Sequence, residues 1–189
     1  PALIKAGLLH VQFETIHPFL DGNGRIGRLL VTLYLCAHGA LRKPLLYLSL
    51  YLKTHRADYY RLLQEVREHG AWEAWLEFFL AGVAETANQA FDAATRIVAL
   101  FKQDRERITD ESERASSALR IHETFQSSPF LTANLLVERT NLSAPTVNAA
   151  LADLQRLGIV EEVTGRRRGR VFAYRRYLAI LSEGTAPLA

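Results

Sequence analysis

Apolar residues fall at helical intervals on both sides of one polar break, and this pattern constrains the fold more than any other feature of the chain. Leu9, Phe13 and Ile16 precede the break; Ile26, Leu29, Leu30, Leu33, Tyr34 and Ala37 follow it. Spacing of three and four gives each stretch a single apolar stripe, which is stable only as a helix packed on a neighbour. The break itself is His17-Pro18-Phe19-Leu20-Asp21-Gly22-Asn23-Gly24. Pro18 biases His17 toward extended backbone, and the glycines suit a tight loop. The expected unit is helix, loop, helix.

The second helix is expected to stop near Gly39 and to lead into a mostly apolar connector, Leu41 to Leu52, that contains Pro44. Thr54 to Val66 and Trp72 to Leu80 read as helices, the latter with Trp72, Trp75, Leu76 and Phe79 on one face. Val83 to Asp110 reads as a long helix, highly charged from Lys102 to Glu113, connecting two domains. Beyond it come a helix around Ser117 to Phe125 and a short one around Thr132 to Arg139. A third is capped by Ser143, with Pro145 in its first turn, and ended by Gly158. Two β-rich runs, Ile159 to Val163 and Arg170 to Tyr174, flank the turn Thr164-Gly165-Arg166-Arg167-Arg168-Gly169. Three helices and a hairpin make a winged helix. The fold class expected is mainly α: a helical core over 1–82, a connecting helix over 83–112, a winged helix-turn-helix domain over 113–182 and a tail over 183–189.

With 189 residues, 49% of them hydrophobic, the chain can bury a core without staples. No run approaches the roughly 20 apolar residues a bilayer requires. A single cysteine, Cys36, excludes an internal disulfide framework and reads as a buried, inert thiol, and the N-terminus lacks a secretory pattern. A soluble, cytoplasmic protein with no membrane partner is expected. The net charge of +3 permits contact with nucleic acid without arguing for it. His10, His38, His55, His69 and His122 show no ligand spacing with Cys or carboxylates, so packing or surface roles are expected for them.

The break carries chemistry. Gly22-Asn23-Gly24 opening directly into a helix presents free backbone N–H groups and the positive end of the helix dipole, which suits phosphate. Arg25 and Arg28, three apart, can both reach a polyphosphate. Asp21 beside a phosphate is unfavourable unless a cation intervenes, so it reads as a magnesium ligand. His17, at the other end, is a candidate general base for an incoming hydroxyl. Any one of these residues alone has a structural explanation. A base, an acid, two glycines, an asparagine and two arginines within twelve positions are poorly explained by turn chemistry. The run lacks the patterns of a P-loop and of a dinucleotide fold.

His17-Pro18-Phe19-Leu20-Asp21-Gly22-Asn23-Gly24-Arg25-Ile26-Gly27-Arg28 resembles the HPFx[DE]GNGRxxR signature of the Fic-domain family at every defined position. The likeness extends through Pro44 to Ser49, His55 to Tyr60 and Trp72 to Phe79, covering roughly Pro1 to Leu80, and the winged-helix tail is similar to one found behind Fic domains. The resemblance implies a Fic-type helical bundle and a magnesium-dependent protein adenylyltransferase that moves AMP from ATP onto a serine, threonine or tyrosine hydroxyl of a target protein. By that likeness His17 is the base, Asp21 holds magnesium, and Gly22, Asn23 and Gly24 form the anion hole. Arg25 and Arg28 bind the outer phosphates, Phe19 anchors the loop in the core, and Tyr59 and Tyr60 border the adenosine. Two alternatives stay open: transfer of another phosphate-containing group or removal of AMP, and a DNA-binding regulator whose loop senses nucleotide.

Only sixteen residues precede His17, without the flap and inhibitory helix of family members, so the chain reads as a fragment. The C-terminus lacks the inhibitory [ST]-x-x-x-E-[GN] pattern, and Arg67 stands where some relatives carry an asparagine near the adenine. In the tail, the Ser143 to Leu157 helix is the one placed for a major groove, with Thr146 and Asn148 for base readout and Arg166, Arg167, Arg168 and Arg170 on phosphates. A docking or dimerisation module with a solvated basic hairpin is the other reading. Expected partners are thus a target protein, DNA and, as a homodimer, a second copy of the chain.

Overall fold

Helices α1 (Ala2–Ile16) and α2 (Asn23–Ala37) approach so closely that a β-carbon on Gly27 would lie 2.5 Å from Glu14 Oε1, 3.1 Å from the Phe13 ring and 3.3 Å from His10. Glycine at that position removes the side chain that would hold the two helices apart. The computed structural model describes residues 1–43, 47–166 and 168–183, and the chain divides into two units, Pro1–Asp92 and Ala93–Ala189.

In the first unit, α3 (Leu48–Thr54), α4 (Arg56–His69) and the first part of α5 (Trp72–Glu111) complete the bundle. Ala6, Val11, Val31, Leu35, Leu52, Leu62, Trp75 and Phe79 are buried together, each large side chain contributing roughly 1.5–3 kcal/mol. The buried Trp75 indole N–H donates to the Gly7 carbonyl at 3.0 Å, so its polar atom is satisfied.

Three elements differ from expectation. The connector Leu41 to Leu52 contains α3, because Leu48 and Leu52, four apart, are both buried and give a short helix one apolar face. The helix expected over Thr54 to Val66 is α4, which starts at Arg56 after the chain bends at His55 (φ −101°, ψ 37°) and ends at Gly70 (φ 66°). The helices expected over 72–80 and 83–110 are one helix of 40 residues. Gly82 sits within it: a β-carbon there would overlap the Tyr51 ring, so the glycine makes room for packing. Pro44, Leu45 and Leu46, part of the expected likeness, lie outside the described residues.

The second unit runs α6 (Ala115–Ser127), β1 (Phe130–Thr132), α7 (Ala133–Thr140), α8 (Ala144–Arg156), β2 (Glu161–Glu162), β3 (Val171–Ala173) and α9 (Arg175–Ser182). Its sheet has the order β1-β3-β2, both pairs antiparallel, with Leu131 opposite Phe172 and Glu161 opposite Ala173. The three-helix and hairpin pattern is present, with β1 and α9 added. β1 is only three residues long, too short for period-two alternation to reveal it. Capping explains the helix starts: Thr132 Oγ1 accepts the Leu135 N–H at 3.2 Å, and Ser143 Oγ accepts the Thr146 N–H at 3.3 Å. Ile108, Ile121, Phe125, Leu136, Leu151, Leu154 and Phe172 form the core. Inside it sits Asp104, fully buried, accepting from the Tyr174 hydroxyl at 2.7 Å, Arg176 at 3.0 Å and Arg107 at 3.2 Å. Two guanidinium groups and a hydroxyl thus satisfy a carboxylate whose burial without partners would be costly.

Among the described residues no helix is long and apolar enough to cross a membrane. Cys36 is half-buried rather than buried.

Candidate functional site

The loop begins where α1 ends. His17 caps α1 in the left-handed region (φ 48°, ψ 58°), its N–H bonded to the Phe13 carbonyl at 3.0 Å. Extended geometry was the expectation from Pro18. Here the proline only forbids continued right-handed helix, and the helix terminus turns the chain the other way. His17 is one of two non-glycine residues with positive φ among the described residues, a disfavoured conformation that the surroundings must hold.

Asn23 closes the loop. Buried at the first turn of α2, its side-chain Oδ1 accepts the Phe19 N–H at 3.0 Å while its Nδ2 donates to the Phe19 carbonyl, so one amide grips both ends of a single residue. Phe19 is therefore held by its backbone. Its ring is 50% exposed and leans on Phe13 at 6.4 Å, so it does not anchor the loop in the core as expected; the asparagine does. Gly22 turns the chain into α2 at φ 82°, and its N–H donates to Asp21 Oδ1 at 2.6 Å. Its carbonyl accepts the N–H groups of Arg25 and Ile26, both at 3.0 Å. The N–H groups of Asn23 and Gly24 find no acceptor among the described residues, which leaves two donors at a helix start.

Both arginines lie over this start. A β-carbon at Gly24 would stand 3.1 Å from Arg28 Nη1, and one at Gly22 would stand 3.5 Å from Arg25 Nη2. Arg28 is fixed by its Nε donating to Ser49 Oγ at 3.0 Å, whereas Arg25 is exposed and pairs with the exposed Asp21 at 3.5 Å. His17, Asp21, Asn23, Gly24, Arg25 and Arg28 thus cluster on one short segment. Tyr60 is 56% exposed with the Arg56 guanidinium 5.6 Å above its ring, while Tyr59 is a core residue. Of that pair only Tyr60 presents its ring to solvent, because Tyr59 lies on the apolar face of α4 with Leu62, Leu63 and Val66.

Beneath the loop are groups to which the sequence assigned no catalytic role. His10 Nε2 meets the Tyr59 hydroxyl at 3.0 Å, and its ring stacks on Trp75. Burial, with the Arg28 charge acting in the same direction, pushes the His10 imidazole down to about 4. Burial raises the Glu14 carboxyl, against the pull of His17, Arg28 and Arg67, and Glu14 Oε1 has no hydrogen-bond partner among the described residues. Arg67 donates from Nη2 to the Glu14 carbonyl at 2.7 Å. Histidine and glutamate at positions 10 and 14 are one helical turn apart, but only burial distinguishes them from surface residues.

In the second unit the Asn148 amide is engaged at both ends: Nδ2 donates to the Ala144 carbonyl at 2.9 Å and Oδ1 accepts from Arg170 Nη2 at 3.0 Å. Thr146 pairs its hydroxyl with that of Ser143 at 2.8 Å. Arg170 also lies 5.3 Å over the Phe172 ring, and Thr132, Asn134, Asn148, Arg168 and Arg170 line a polar cleft of about 530 Å³. Arg166 and Arg168 are exposed; Arg167 lies outside the described residues. Glu162 accepts the N–H groups of Thr164 at 2.8 Å and Gly165 at 3.1 Å and the Thr164 hydroxyl, which fixes the base of the basic turn and lowers its carboxyl. Among the described residues no group of three or more His, Cys, Asp or Glu could hold a metal ion.

The Fic/DOC family model matches residues 1–35, and a winged helix-turn-helix DNA-binding model matches 116–161. A Fido domain-containing protein of Dictyostelium discoideum is 54% identical over 39 residues, 21% of this chain and 27% of that protein. A probable protein adenylyltransferase of Aquifex aeolicus is 51% identical over 37 residues, 20% of this chain and 12% of that protein. A Fic family protein of Desulfovibrio desulfuricans aligns over 92% of this chain and 49% of its own, at 24% identity and a TM-score of 0.45. The chain thus spans half or less of each relative. Residues 1–35 are similar to the Fic/DOC family and residues 116–161 to winged helix-turn-helix domains.

Proposed function

We propose that the loop from His17 to Arg28 transfers AMP from ATP to a serine, threonine or tyrosine hydroxyl of another protein. The observation that carries this reading is the pair of unaccepted N–H groups, Asn23 and Gly24, at the start of α2, with Arg25 and Arg28 over them and His17 across the loop. Such a site takes phosphate oxygens at low cost, since its donors are already oriented and the helix dipole favours negative charge. The matched stretch in a probable protein adenylyltransferase supports the same chemistry.

In this reading the His17 imidazole removes the hydroxyl proton, the freed oxygen bonds to the α-phosphorus, and the bond from that phosphorus to the bridging oxygen breaks, releasing pyrophosphate. The Asn23 and Gly24 N–H groups hold phosphate oxygens as charge grows, and Arg28, steadied by Ser49, keeps the outer phosphates in register. The 94%-exposed Asp21 carboxylate fits magnesium, which is commonly held by one or two carboxylates together with substrate phosphates. Bound there, the ion would neutralise charge on the departing pyrophosphate. Asp21 would exchange its Arg25 partner for it, leaving Arg25 to the phosphates.

The test is incubation with magnesium and ATP labelled at the α-phosphate, followed by intact-mass measurement of the chain and of candidate targets. One added AMP is expected, lost in His17→Ala while ATP binding persists. Absence of AMP on every protein, or transfer that survives His17→Ala, removes the proposal.

For the second unit the family match and the exposed Arg166 and Arg168 support contact with DNA phosphates. Thr146 and Asn148, engaged within the protein, would read bases only by giving up those bonds.

A further inference from the structure

The last turn of α1 has a donor missing. In a helix each carbonyl accepts from the N–H four residues on. The Phe13 carbonyl takes the His17 N–H, but the Glu14 carbonyl would need residue 18, a proline without one. The next donor, the Phe19 N–H, is committed to Asn23. A guanidinium from α4, 53 residues away, fills the gap: Arg67 Nη2 donates to the Glu14 carbonyl at 2.7 Å, with a longer contact from Nε to Thr15 Oγ1 at 3.4 Å. A cation is well placed there, at the negative end of the α1 dipole. The residue that follows this turn is His17, in a left-handed conformation disfavoured for any side chain with a β-carbon.

We propose that Arg67 is a positioning residue for His17: it supplies the hydrogen bond that Pro18 cannot, and so holds the left-handed turn on which the imidazole stands. Arg67 thereby acts on the proton-accepting end of the loop, not on the adenine. The kinetic arm of its test rests on the nucleotidyl-transfer reading; the structural arm does not.

In the full chain, Arg67→Met keeps the aliphatic stem and removes the donors, and Arg67→Lys keeps one donor. The three-bond coupling between the His17 amide and α-protons, read together with the intraresidue cross-relaxation between the same two protons, which is strong at positive φ and weak at negative φ, reports the turn and needs no activity. In Arg67→Met that coupling moves from its left-handed value toward the extended one. At the same time kcat for AMP transfer falls ~10-fold or more while KM for magnesium-ATP changes less than ~3-fold, since a small misplacement of a reacting group costs rate more than affinity. Arg67→Lys restores the coupling and most of kcat. An unchanged coupling with unchanged strong cross-relaxation in Arg67→Met overturns the proposal, and if ATP affinity is then lost the arginine belongs to the nucleotide. Should the unsubstituted chain transfer no AMP, the enzymatic reading fails alone and the coupling still decides the role of Arg67. Should Arg67→Met not fold, Arg67→Gln, two atoms shorter and so unable to reach the Glu14 carbonyl, decides in its place, and a left-handed turn retained in that variant is equally fatal.

Discussion

Acidifying the protein from pH 7 to pH 4 should weaken the first unit through one side chain, His10. Its ring is fully buried between Tyr59 and Trp75, and its imidazole is pushed from 6.5 down to about 4. Between those values the unfolded chain binds a proton that the folded one refuses, so stability is fully present above pH 6.5 and declines as pH falls toward 4. The interval is 6.5 minus 4, or 2.5 units, which at roughly 1.36 kcal/mol per unit amounts to about 3 kcal/mol. Glu14 works in the opposite sense, because a carboxyl raised by burial holds its proton more tightly in the folded state. Comparison with His10→Gln cancels that term. Both tryptophans, Trp72 and Trp75, lie in the first unit, so urea unfolding followed by indole fluorescence reports this unit selectively. The unsubstituted chain should lose about 3 kcal/mol more than His10→Gln between pH 6.5 and 4. Equal losses in the two proteins would show that His10 is not held neutral by burial, and the reasoning would fail.

Asp104→Ala leaves the buried Tyr174 hydroxyl without its acceptor and two arginines without their carboxylate; since both arginines can reach water, a cost of about 3 kcal/mol is expected. Amide hydrogen exchange in α6 and α8 would record it, and unaltered protection would contradict the clamp. In the basic turn, Arg166→Glu with Arg168→Glu should abolish salt-sensitive retention of duplex DNA; an unsubstituted chain that is not retained at low salt would dismiss DNA contact.

Local chemistry made much of the molecule legible in advance. The helix–loop–helix at the N-terminus follows from the Gly22-Asn23-Gly24 break, but the apolar stripe expected from spacing is not the buried face: Ile16, Leu29 and Leu33 are exposed, while Ala6, Val11, Val31 and Leu35 are buried. The start of α8 follows from Ser143 and Pro145, and its end from Gly158 at φ 66°. Each of these depends on residues within one or two turns, which a sequence displays directly. The tertiary structure decided what depends on distant partners. The sequence left a gap between the helices expected over 72–80 and 83–110, whereas in the structure one helix runs through, with Gly82 making room for the Tyr51 ring. Tyr59 and Tyr60 are adjacent, yet one is buried against His10 and the other exposed beneath Arg56. Pro18 announces that a carbonyl in α1 lacks its donor, but that Arg67 supplies it from 53 positions away could come only from the packing of α4 on α1. The sequence determined which backbone groups must be satisfied locally; the fold determined which distant side chains satisfy the rest, because a buried polar group accepts whichever partner the packing brings within reach.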